Sequence, residues 1–304
     1  MRLRPGEWVE VKGEAEILAT LDERGTLYGM PFMPEMRRFC GKRFQVKTRA
    51  ERTVVEKLGV RRMNGAVHLR ELRCDGSAHD GCARECLLFW KEDWLRPVSD
   101  PSVVSGTLPM VPLPTMEGER YLCQATELTR ATRHQPAWDL GQFIRALWGE
   151  DTRTIDLLRA MLIFARDLMV WRVFKRPEWE WNRLPGPCTS TPVGRLDLQP
   201  GERVRVKSRD EIIKTLDKRG WNRGMEFSRE MLQHCGKEYR VLRRVERIIR
   251  DHSAKMVRVN DTVLLEGLVY KDFVRLAAPR AEYMYWRECW LERVEEAPLE
   301  EIAG

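Results

Sequence analysis

The sequence predicts an α+β fold, mainly β, in which two duplicated SH3-like small barrels are joined by a helical middle segment. Three observations predict it. The chain is an internal duplication: Leu3–Val46 aligns with Leu198–Val241 at a constant offset of 195, with 23 identities in 44 positions and no gap. After one inserted residue the match resumes at offset 196, where Val67–Val98 faces Val263–Val294. Within each copy, short stretches alternate with period two between Gly and Pro turns, which suits a small barrel better than a βαβ unit. Between the copies the period changes to that of helices. So long a period marks a duplicated domain and not a solenoid array. The boundaries follow as a first barrel module over 1–98, a Pro-rich linker and helical middle over 99–195, and a second barrel module over 196–304.

In the first copy, Pro5-Gly6-Glu7 reads as a turn into an alternating strand at Val9–Lys12. Glu14–Asp22 reads as a short helix with Ile17, Leu18 and Leu21 on one face and Gly25 as its stop. Phe44–Lys47, Val67–Leu69 and Leu87–Trp90 read as further strands. Each copy closes on a Trp pair, Trp90 and Trp94 in the first and Trp286 and Trp290 in the second. These read as core or rim anchors. The alternative is an aromatic platform on which bases or sugars stack.

In the middle, Pro101, Pro109, Pro112 and Pro114 make Val98–Gly118 an extended linker or arm. Asp139 caps a predicted helix to Trp148, and Thr152 or Thr154 starts another to about Phe174. Arg159, Arg166, Asp167 and Arg172 interrupt Leu157–Phe174, so no membrane span is expected there. That helix reads as buried. The alternative is peripheral membrane contact through 157–174, with Trp171, Arg172, Lys175 and Arg176 at its end.

The chain is 43% hydrophobic and 33% charged, with a formal net charge of +7. That mild basicity permits a nucleic-acid or anionic partner without requiring one. The N-terminus carries no apolar leader, so a cytoplasmic, reducing setting is expected. Eight cysteines in that setting read as thiols or metal ligands and not as disulfides.

Their distribution carries the chemistry. Cys74-x7-Cys82-x3-Cys86 lies on one segment, with Cys40 upstream. Four soft thiolates suit Zn²⁺ or, alternatively, an iron–sulfur cluster. His79 lies between them as an alternative ligand or as a donor to a ligand sulfur. The second copy keeps Cys235 opposite Cys40 but has Tyr270, Ala278 and Glu282 opposite the other three. One metal is therefore expected, in the first module only. Between Arg73 and Phe89, only Arg84 agrees with its counterpart, Arg280. Cys123 is a candidate reactive thiol if a base such as His134 approaches it, or else a buried structural one. No phosphate-binding glycine loop, nucleophile elbow, zinc-protease helix or kinase signature is present.

The string Arg73-Cys74-Asp75-Gly76-Ser77-Ala78-His79, the later Cys82 and Cys86, the run Cys123–Leu128 and the two Trp-x3-Trp-Leu endings resemble a family of uncharacterised bacterial proteins along the whole chain. The resemblance implies two SH3-like repeats and a Cys-rich site in the first, and no activity. Two functional readings follow. One is a metal-stabilised two-module binding or scaffold protein with a protein or nucleic-acid partner. The other is a metal- or thiol-dependent biosynthetic enzyme of unfamiliar chemistry.

Overall fold

The computed structural model describes residues 2–55, 58–98, 111–134, 184–270 and 280–294. They fall into two compact units: Met1–Arg166 with Arg247–Val257 and Lys271–Glu282, and Asp167–Glu246 with Arg258–Tyr270 and Tyr283–Gly304. The strands of the first part of the chain are β1 (Trp8–Val11), β2 (Thr26–Leu27), β3 (Met30–Pro31), β4 (Arg43–Arg49), β5 (Arg52–Val55), β6 (Gly59–Arg62), β7 (Ala66–Arg73), β8 (Leu87–Lys91), β9 (Leu95–Pro97), β10 (Met116–Glu117), β11 (Arg120–Tyr121) and β12 (Arg133–His134). The later ones are β13 (Arg203–Val206), β14 (Trp221–Asn222), β15 (Met225–Glu226), β16 (Glu238–Arg244), β17 (Arg247–Ile249), β18 (Met256–Arg258), β19 (Thr262–Val269), β20 (Tyr283–Arg287) and β21 (Leu291–Arg293).

Each unit is built on one antiparallel five-stranded sheet curled into a half-barrel. The order is β8-β7-β4-β1-β9 in the first and β20-β19-β16-β13-β21 in the second. The registers correspond as the sequence offsets require. Trp8 faces Gln45 and Arg203 faces Arg240, while Ala66 faces Lys91 and Thr262 faces Arg287. Even the bulge recurs, after Val46 in one copy and after Val241 in the other. Identity at alternating positions selects the same buried face, and a one-residue slip would turn that face outward.

The four tryptophans are fully buried. The Trp94 Nε1–H donates to the Thr20 hydroxyl at 3.1 Å, and the Trp290 Nε1–H to the Thr215 hydroxyl at 3.0 Å. Phe32 and Phe227 pack edge-on against Trp94 and Trp290. They are core anchors, and their rings offer no stacking platform to a partner. A second shared device is a carboxylate at the start of the one-turn 3-10 helix, Glu92 in one copy and Glu288 in the other. Glu92 accepts the Leu3 N–H and an Arg49 N–H, and Glu288 accepts the Leu198 N–H and an Arg244 N–H. It ties the segment before the first strand to the end of the barrel.

The first helix is shorter than its apolar spacing predicts, running from Glu14 to Leu18. The Thr20 hydroxyl donates to the Ile17 carbonyl at 2.6 Å, and the Thr20 and Leu21 N–H groups bond three residues back. A side chain that competes for backbone carbonyls tightens the last turn and ends the helix. The predicted helices at 139–148 and 152–174, and with them the surface at 157–174, lie outside the described residues. Among the described residues, no helix is long and apolar enough to cross a membrane.

Candidate metal centre

The cysteine segment is a loop between two paired strands. β7 ends at Arg73, β8 begins at Leu87, and the Cys74 N–H donates to the Cys86 carbonyl at 2.8 Å to close the loop's base. Inside it, the Gly76 carbonyl accepts the N–H groups of His79 and Gly81, and the Cys82 N–H donates to the His79 carbonyl. Gly76 has φ +71, and a Cβ there would lie 2.1 Å from the Cys82 carbonyl oxygen. Glycine is the residue that permits this closure. Asp75 accepts the Ser77 N–H and hydroxyl and pairs with Arg38, holding the outer edge.

Cys74, Cys82, Cys86 and Cys123 line one small cavity, together with His79, Arg84 and Ile249. Burial, then the nearby Glu35, Cys86 and Cys123, push the Cys74 thiol far up. Burial raises Cys86 to about 12 against the opposing pull of Arg84 and Arg280. Burial also raises Cys123, partly offset by hydrogen bonds from the Thr126 backbone and side chain. Thiols so placed are costly to ionise unless a cation compensates them, and thiolate is the form in which cysteine binds metal.

Beside Cys74 lies a buried acid–base pair. The His79 Nδ1–H faces the Glu35 carboxylate at 2.6 Å, with side-chain exposures of 1% and 0%. The His79 Nε2–H donates to the Leu122 carbonyl at 3.1 Å. Burial lowers His79, but the hydrogen bond and charge of Glu35 outweigh it, and the net shift is upward. Burial raises Glu35, but the His79 hydrogen bond and charge leave it below the ordinary carboxylate value. Both directions describe imidazolium against carboxylate. The second Glu35 oxygen is buried without a hydrogen-bond partner. Cys74 Sγ lies 3.6 Å from the first. Glu35, Cys74 and His79 are the one group of three among the described residues whose ligand atoms all lie within 4.8 Å of one another.

Residues from late in the chain complete this unit. The Ile249 N–H, at the end of β17, donates to Cys82 Sγ at 3.4 Å, and the Ala83 N–H donates to the Arg247 carbonyl at 2.9 Å. Arg84 pairs with Asp251 and Glu282, and Arg280 pairs with the same two carboxylates. Glu282 stands in the sequence opposite Cys86, so part of the second copy's divergent window packs against the cysteine loop of the first.

Cys40 does not line the cavity. It ends a 3-10 helix, Pro34–Phe39, beside Glu14 and Arg37, and burial raises its thiol to about 11. Cys235 ends the equivalent 3-10 helix, Arg229–His234. A thiol at the same helix end in both copies belongs to the shared fold. Cys123, by contrast, is brought to the cavity by Gln124. The Gln124 side-chain amide donates to the Phe89 carbonyl and accepts the Phe89 N–H, both at 2.8 Å, so that it pairs with β8 like a strand residue. The upward shift of Cys123 opposes a reactive thiolate, and His134 sits exposed on β12 opposite Arg61. Sequence reasoning missed Glu35, Ile249 and Asp251. It noted the Arg84/Arg280 identity without its partners.

No family model, curated protein or solved structure matches this chain.

Proposed function

We propose that the protein is a metal-stabilised two-module binding protein whose metal group is held in the first unit by Cys74, Cys82, Cys86 and Cys123. The observation that carries this reading is the convergence of those four thiols on one cavity. They come from a loop between two strands and from a segment beyond β11, with β17 packed alongside. A bond network across such distant segments stabilises a small domain by closing long loops, and metal affinity becomes folding free energy. Both half-barrels are read as SH3-like. In each, four strands meander, the fifth returns beside the first, and a one-turn 3-10 helix precedes it. The partner is read as protein or nucleic acid, in keeping with the net charge of +7.

A second reading, a metal-dependent enzyme, draws on the Glu35–His79 pair beside Cys74. Such buried pairs cluster at reactive sites, and they also occur as structural ion pairs.

Elemental analysis of the full chain, purified without chelator, tests the proposal. About one metal group per chain is expected, and it should be lost in Cys74→Ser. Metal-free wild-type protein, or equal loading in the variant, would refute it.

A further inference from the structure

Resting on the metal-centre reading, we propose that the group is a polynuclear iron–sulfur cluster ligated by Cys74, Cys82, Cys86 and Cys123, with Cys40 outside the ligand set.

The sulfur spacing is the first argument. A tetrahedral zinc with Zn–S near 2.3 Å holds its four sulfurs only about 3.8 Å apart. Among the described residues, no three cysteine sulfurs lie within 4.8 Å of one another, because the one group meeting that distance is Glu35, Cys74 and His79. Yet all four thiols face the same cavity. Four thiolates around a shared space, set wider than one ion requires, suit a cluster in which each sulfur binds a different iron.

The number of donors is the second argument. Glu35, Cys74 and His79 offer a single ion three ligand atoms, only one of them sulfur. An ion held there would leave Cys82, Cys86 and Cys123, which line the same cavity, outside its ligand set.

The surroundings of the thiols also suit a cluster. The Ile249 N–H points at Cys82 Sγ, and backbone N–H groups aimed at ligand sulfurs are a recognised feature of cluster sites. Met33, Leu88, Ala125 and Ile249 make much of the cavity wall apolar, with Arg84 and Glu85 both at its edge. Cys123 belongs to the set because Gln124 locks its segment to β8, whereas Cys40 shares its helix-end position with Cys235.

The test is purification of the full chain without oxygen or chelator, with iron, acid-labile sulfide and zinc measured together. Iron and sulfide in equal amounts, several per chain, with broad visible absorption, are expected. Cys123→Ala should lose most of the iron and colour, and Cys40→Ala should keep both. One zinc per chain without sulfide would overturn the cluster and leave the metal-centre reading standing. No metal of any kind would overturn both. Wild-type iron in soluble Cys123→Ala, or iron lost from folded Cys40→Ala, would overturn the ligand assignment. If Cys123→Ala does not fold, iron and sulfide in wild type and in Cys40→Ala decide.

Discussion

Arg84 and Arg280 occupy equivalent positions in the two sequence copies and share the same two carboxylates, Asp251 and Glu282. Arg84 follows Cys82 by two residues and lines the cysteine cavity, and Arg280 is almost fully buried. Two guanidiniums and two carboxylates thus fasten β17 and the segment before β20 onto the cysteine loop.

Removing one carboxylate leaves buried cations undercompensated. Asp251→Ala should lower the stability of the first unit by about 3 kcal/mol, the usual cost of breaking a buried pair. Glu119→Ala, whose side chain is 93% exposed in its ion pair with Lys255, should cost less than about 1 kcal/mol. Urea denaturation followed by tryptophan fluorescence measures both, and equal effects would contradict the account.

Gly76 and Gly81 share φ +71 but differ in surroundings. At Gly81 an added Cβ meets no atom within 4 Å, so Gly81→Ala should cost only the backbone term of about 1–2 kcal/mol. At Gly76 the same Cβ collides with the Cys82 backbone. Gly76→Ala should therefore displace Cys82, cost several-fold more and reduce metal content. Denaturation midpoints and metal content of the two variants check this together.

His68 gives the first unit an acid-sensitive component. It is fully buried, its Nδ1 bonds the Leu88 carbonyl, and its Nε2 has no partner. Burial lowers its pKa to about 3, the Leu88 bond opposes this, and Arg280, Lys47 and Arg73 add to the lowering. The unfolded chain takes up a proton near the ordinary value of about 6.5. Stability is thus complete above that pH, and it falls as pH drops from there towards about 3, because only the unfolded state binds the proton. The second copy has Leu264 at this position, fully buried. His68→Leu should flatten the dependence between these pH values. Melting temperatures of wild type and variant across that range measure the difference, and parallel curves would contradict the assignment.

The duplication was legible because identity at the core and turn positions is what two copies of one sheet require. Strand order and register follow that alignment residue by residue. The loop carrying Cys74, Cys82 and Cys86 was legible as well, since nearby thiols must lie close in space. The rest of the site was not. Cys123 reaches the cavity through a side-chain pairing between Gln124 and β8, which leaves no periodic trace. Glu35 is matched by Glu230 in the second copy and so reads as part of the shared fold, although it faces His79 only in the first. The hairpin β5–β6 is absent from the expected strands, and Arg-rich β6 gives little alternation to find. Asp251 and Ile249 lie far along the chain, and only the Arg84/Arg280 identity inside an otherwise divergent window pointed towards them.

The X-ray absorption spectrum of the metal bound to the intact chain tests the central claim most directly. Ligation by Cys74, Cys82, Cys86 and Cys123 predicts a first shell made wholly of sulfur at about 2.3 Å. A shell containing nitrogen or oxygen at about 2.0–2.1 Å would place the metal on His79 and Glu35 instead and contradict it.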